Sequence, residues 1–198
     1  MNAILSSGKR VLIGAAVLLL AACADLPKAP PAKAVYDFGL PAERLPGADL
    51  SAVVLVVGSP PWMDERDMLY RLSWDDPQLR RSYAASRWAA TPSELLALRW
   101  RQRLGLVQPG EGRGCQLRLR IDEFSQVFAA ADSSEAILDA AVILFDARGK
   151  VLARHQLAAR RPAGADGRSG AAALAQVADS AASEIRRWLA EPAAAGCL

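Results

Sequence analysis

The sequence predicts an α+β, two-layer domain: an antiparallel sheet with two helices packed on one of its faces. Three observations carry the prediction. The run TPSELLALRWRQRLG holds a helix start, an apolar stripe and a helix stop in close succession. Residues 170–190 repeat apolar side chains at i+3 and i+4 steps. Between these helices, CQLRLRIDEF alternates apolar and charged residues with the period of a half-buried strand.

Taken in order, folded structure starts at Tyr36 with YDFGL, and LPAERLPGAD is a connection rich in proline and glycine. Ala52–Val57 (AVVLVV) is continuously apolar and β-branched, hence a buried strand, and Pro60 and Pro61 stop it. Met68–Leu72 and Arg81–Trp88 read as short strands separated by the turn-like Asp75-Asp76-Pro77. Thr91 is then the N-cap of a helix, Pro92 takes the first helical position, and Glu94 completes a capping box. Leu96, Trp100 and Leu104 recur every four residues as its apolar stripe, and Gly105 ends it. After QPGEGRG, Leu117, Leu119 and Ile121 face the core while Arg118, Arg120 and Asp122 face out. Ala136–Phe145 and Val151–Ala159 flank DARGK, a hairpin loop. RPAGADGRSG is a linker into the last helix, about Gly170–Ala190, whose stripe is Leu174, Val177, Ala181, Ile185 and Trp188. Pro192 closes it.

The N-terminus carries a different signal. Lys9 and Arg10 precede VLIGAAVLLLAA, an apolar stretch of signal-peptide length that is too short to span a bilayer. Leu-Ala-Ala then precedes Cys23, as in a bacterial lipobox, so residues 1–22 are expected to be a lipoprotein signal peptide and Cys23 the lipidated first residue. Two or more acyl chains would anchor the protein almost irreversibly. Residues 23–35 are the lipidated cysteine and an Ala/Pro spacer, semi-extended at ~3.1 Å per residue, and residues 36–198 form the domain. Cleavage removes two basic residues and no acidic one, so the formal net charge of +3 falls to +1. With cations and anions interleaved through 62–160, no nucleic-acid surface is expected. The 176 residues left of 198 suit one domain with a sizeable core. Cys115 and Cys197, an even pair in an exported chain, read as a disulfide, the alternative being two unpaired thiols.

Catalytic constellations are hard to assemble, and the chain is not expected to be an enzyme. His155 is the single histidine, on a predicted strand, where it could act as a general base or sit half-exposed without a role. One histidine and two distant cysteines give no metal-ligand spacing, and no GxSxG, Walker A or GxGxxG motif occurs. What stands out instead is SPPWMDERDMLYRL (59–72), which sets Trp62, Met63, Met68 and Tyr70 among five charges. Such apolar residues beside prolines form either an interaction patch or a loop that folds its tryptophan inward.

YDFGL, AVVLVVGSPPWMDERDMLYRL and RSYAASRWAATPSELLALRWRQRL together resemble the ABC-type transport auxiliary lipoproteins, the family of the PqiC (YmbA) lipoproteins. The pattern rests on Pro60, Met68, Tyr70, Arg71, Trp88 and Pro92 and continues more loosely through LRIDEFSQVF to IRRWL. FGL stands at 38–40 where a simple Tyr-x-Leu is commoner. The resemblance implies a non-enzymatic accessory protein without a cofactor, working with an MCE-domain protein and an inner-membrane permease or ATPase in moving lipids or other hydrophobic molecules. It implies a lipid anchor at the periplasmic face of the outer membrane, which Ala24 rather than aspartate after Cys23 also favours, and a homo-oligomeric assembly. Trp62, Met63, Tyr70 and Arg71 are the expected partner-binding residues, because interface energy concentrates in Trp, Tyr and Arg anchors. Two other readings compete. A regulator of a peptidoglycan synthase would need a longer spacer than 24–35, and a periplasmic hydrolase would need Ser, Asp and His155 gathered by the fold.

Overall fold

In the computed structural model the elements run, in chain order, β1 (Ala34–Tyr36), β2 (Val54–Gly58), β3 (Asp67–Leu72), β4 (Asp76–Trp88), α1 (Pro92–Leu104), β5 (Gln116–Ala130), β6 (Ser133–Phe145), β7 (Val151–Ala163) and α2 (Gly167–Leu189). Short 3-10 turns cover Pro61–Met63 and Pro192–Cys197. The structure describes residues 32–40, 43–112 and 114–197; the expected signal peptide, Cys23 and most of the expected spacer lie outside them.

The strands form one open sheet in the order β1-β4-β3-β5-β6-β7, with β2 also on β5. β5 organises it. Its apolar Leu117, Leu119 and Ile121 are buried on one face; a register shift at Asp122 then resets the alternation so that Phe124 also points inward. β6 pairs with β5 antiparallel along its length, and β7 pairs with β6 in the same way. The other edge of β5 is shared: β2 runs parallel to it over Gln116–Arg120, and β3 runs parallel to it over Gln126–Phe128. Thus β2 and β3 are two halves of one interrupted strand. β3 and β4 form an antiparallel hairpin, and β1 adds in parallel to β4. The sheet is therefore antiparallel in its local hairpins and parallel where segments distant in sequence meet.

Several strands outrun their sequence patterns: β5 continues past Phe124 to Ala130 and β6 begins at Ser133 rather than Ala136, the two pairing up to their turn. β4 begins at Asp76 rather than Arg81, because the Asp76 carboxylate accepts hydrogen bonds from the Gln78 and Leu79 N–H groups and tightens the turn. β7 continues through Arg160–Ala163 because β6 still offers Ser134–Ile137 opposite it. Pro162 is tolerated because β7 is an edge strand.

Helix α1 has the expected capping box: Thr91 Oγ1 accepts from the Glu94 N–H at 3.3 Å, and the Thr91 N–H donates to Glu94 Oε2 at 2.9 Å. Gly105 adopts φ 70°, which ends the helix without the strain a Cβ would bring. Leu96, Trp100 and Leu104 are fully buried, and Trp100 Nε1 donates to the Ala178 carbonyl at 3.0 Å, hooking α1 onto α2. Beside that contact Arg99 grips Asp179 with two hydrogen bonds of 2.7 Å and donates a third to the Leu40 carbonyl. α2 lays Leu174, Val177, Ala181, Ile185 and Trp188 on the sheet, and its alanines let the helix sit close. Gly170 lies so near Gln126 that a Cβ would stand 1.9 Å from Oε1. Gln126 itself is 1% exposed. It accepts from the Tyr83 hydroxyl at 2.8 Å and donates to Ser134 Oγ and the Gly164 carbonyl. The Cys115–Cys197 disulfide joins the start of β5 to the C-terminal 3-10 turn, with Cα atoms 5.7 Å apart.

Candidate interaction surface

The segment between β2 and β3 steps out of the sheet, because β2 leaves β5 at Arg120 and β3 joins it only at Gln126. Pro60 is extended and Pro61 opens the 3-10 turn, closed by the Met63 N–H donating to the Pro60 carbonyl at 2.9 Å. Asp64 anchors it: the Ser59 and Ser93 hydroxyls donate to Oδ1 at 3.1 and 2.9 Å, tying the turn to the start of α1.

This turn sends neighbouring side chains opposite ways. Trp62 is 49% exposed, whereas Met63 is 1% exposed and belongs to the core. Met63 is thus removed from the expected contact set: its thioether packs inward and has no surface to offer. Tyr70 lies 4.7 Å from the Tyr83 ring and 6.0 Å from that of Phe128, half-buried in an aromatic cluster. Arg71 donates to the Pro77 and Gln78 carbonyls at 3.0 Å and reaches Glu123 at 3.4 Å, so its fork is taken up in bracing the β3–β4 hairpin.

Trp62 does have a partner that sequence reading missed. The Arg80 guanidinium lies 3.9 Å from its ring centroid, in a cation–π contact. Arg80 is in turn held by Glu123 in a two-pronged pair of 2.7 and 2.8 Å. Burial pushes the Glu123 carboxyl up, but hydrogen bonds from Arg80 and the charges of Arg80 and Arg71 outweigh it and hold the group below its ordinary value. The indole is therefore open yet fixed from beneath. Trp74, 50% exposed at the hairpin tip, packs edge-on to Phe128 at 6.5 Å. No spacing rule links residue 62 to residue 80, since strand pairing sets that contact.

His155 is on β7, as expected. Its Nε2 is 2.7 Å from Glu184 Oε1, and its ring stacks on Trp188 at 5.3 Å. Among the described residues no serine or cysteine hydrogen-bonds to it, and no three His, Cys, Asp or Glu side chains converge as metal ligands would. No described helix is long and apolar enough to cross a membrane.

The fold of this body is shared with solved structures. A crystal structure of a Xanthomonas campestris protein assigned to the family DUF330 overlays on 78% of this chain and 93% of its own, with a TM-score of 0.65 and 16% identity. A second crystal structure, of an uncharacterized protein, covers 80% of this chain and 99% of its own at TM-score 0.63 and 14% identity. At such identities the likeness is one of fold. No family model matches the sequence, and no curated protein does.

Proposed function

We propose that this chain is a lipid-anchored accessory subunit of an MCE-type envelope transport system, held at the periplasmic face of the outer membrane and moving no substrate chemically. Cys23 is the anchor, residues 24–35 the spacer, and the sheet domain the docking body. The lipobox and the resemblance to transport auxiliary lipoproteins support the reading from the sequence. The observation that carries it in the fold is Trp62: a half-exposed indole fixed from beneath by the Arg80–Glu123 pair. A contact residue held in place before binding loses little side-chain freedom on docking, which is how aromatic anchors come to dominate interface energies. Arg71, through Glu123 and the Pro77 and Gln78 carbonyls, braces the hairpin that carries Arg80, and Tyr70 packs with Tyr83 and Phe128 in the same hairpin region.

The test is co-purification from crosslinked envelopes with an MCE-domain partner. Wild type should recover the partner, and Trp62→Ala should lose most of it while the domain stays folded. Equal recovery by Trp62→Ala would remove this surface from the proposal, and no MCE-domain protein recovered by wild type would overturn the transport reading itself.

A further inference from the structure

The face of the sheet away from both helices carries a hollow of 370 Å³ where β2, β5, β6 and β7 run side by side. Strand register builds it. Val56, Arg118, Ile143 and Arg154 form one cross-strand row on that face, and Gly58, Arg120, Ala141 and Gln156 form the next. In the second row Gly58 has no side chain and Ala141 only a methyl, one on each side of Arg120, so the surface dips there. A Cβ on Gly58 would meet no atom within 4 Å. Val56 and Ile143 wall the dip with apolar surface.

The charge around it is one-sided. Arg120 pairs with Asp122 at 3.1 Å. Arg118 lies over the Phe145 ring at 4.8 Å and hydrogen-bonds to the neutral Gln116, and among the described residues neither Arg118 nor Arg154 has an ion-pair partner. Three arginines thus line an apolar depression, only one of them paired with a carboxylate. Arg118 and Arg154 flank Ile143 from the strands on either side of it, about 10 Å apart at the backbone. A guanidinium fork suits a phosphate better than any other cationic side chain does.

The geometry points to a binding site for a phosphate-bearing lipid: the phosphate between Arg118 and Arg154, and alkyl chain in the dip over Ala141 and Gly58. A ligand with charge alone would leave Val56 and Ile143 uncovered. A neutral alkyl ligand would leave the arginines unmatched. The volume lies at the low end of the ~300–1,000 Å³ usual for small-molecule sites, so one chain is seated and not a bilayer patch. This inference deepens the transport reading and rests on it only for the source of the lipid.

The test titrates the mature protein with dodecyl phosphate below its micelle concentration, followed by calorimetry. Dodecyl maltoside supplies the same tail on a neutral head, inorganic phosphate the head without a tail, and an oligoglutamate peptide a polyanionic chain. Dodecyl phosphate should bind at one per chain and at least tenfold more tightly than any of the three. Gly58→Leu and Ala141→Leu, which fill the dip on the solvent side, should abolish binding. Arg118→Glu with Arg154→Glu should weaken it more than tenfold, while Arg87→Glu with Arg168→Glu, an equal charge change elsewhere, should not. Far-UV circular dichroism checks each fold, and the three control ligands on wild type decide the matter even where a variant fails to fold. Equal affinity for any control ligand, or full binding by a folded Ala141→Leu, would overturn the site. Dodecyl phosphate bound as expected, with no MCE partner recovered, would leave the site standing and overturn the transport reading. The partner recovered without dodecyl phosphate binding would do the reverse.

Discussion

Opening the Cys115–Cys197 disulfide tests how far the C-terminal segment and the sheet depend on one another. The bridge closes 82 residues, a span that includes β5, β6, β7 and α2. In the chain-entropy model such a loop restrains the unfolded chain by about 4.5 kcal/mol at 25 °C. Single domains are stable by only about 5–15 kcal/mol, so the loss is a large share of the total. With a urea slope of roughly 2 kcal/mol per molar, reduction should lower the unfolding midpoint by about 2 M, with a steeper slope as the unfolded chain, freed of the bridge, exposes more surface. The assay is urea unfolding followed by tryptophan fluorescence, on the oxidised protein, the reduced protein and Cys115→Ser with Cys197→Ser. The reduced protein and the double variant should unfold together. A midpoint shift below about 0.5 M on reduction would refute the reasoning, because the bridge would then restrain little that the unfolded chain explores.

Three further outcomes follow from packing and charge. Arg99→Leu removes two charge-assisted hydrogen bonds at the α1–α2 contact and leaves Asp179 with Arg103 at 3.5 Å as its ion-pair partner, so it should cost about 1.5–3 kcal/mol in thermal unfolding; Arg103→Leu added to it strands Asp179 and should cost more than the two single changes together. Met63→Ala empties a core position and should cost about 2–5 kcal/mol, whereas Trp62→Ala forfeits an exposed cation–π contact of about 0.5–1 kcal/mol; chemical denaturation of the pair measures the contrast. Glu123 is held below its ordinary value of 4.5 in the fold, so its contribution is complete above that pH and drains away as pH falls through the folded value. Glu123→Gln should therefore flatten the loss of stability below about pH 4.5, and an unchanged acid limb would contradict the role assigned to Arg80.

The parts of the fold legible in the sequence are those whose causes are local. The α1 capping box needs only Thr91, Pro92 and Glu94 in line, and all three take the positions their spacing implies. The alternation of Leu117, Leu119 and Ile121 likewise shows which face of β5 is covered. What escaped reading depends on partners far along the chain. β7 runs through Arg160–Ala163 only because β6 lies opposite, and the parallel seats of β2 and β3 on β5 leave no periodic trace. The candidate surface divides the same way. Trp62 and Met63 are adjacent and similar in composition, and only the 3-10 turn shows which of them faces solvent. Arg80, which fixes the indole, comes from another strand altogether.

The interrupted strand also bears on how the chain must be made. A polypeptide made from its N-terminus delivers β2 long before β5, and β5 is the strand with which β2 pairs. The β3–β4 hairpin and helix α1 can form from neighbours alone, but VLVV must wait, unpaired and apolar, for some sixty residues to follow it. An unpaired apolar strand of that kind is a template for wrong pairing. The order of synthesis therefore leaves Val54 and Leu55, both buried in the finished fold, without their partner strand until Gln116–Arg120 arrive.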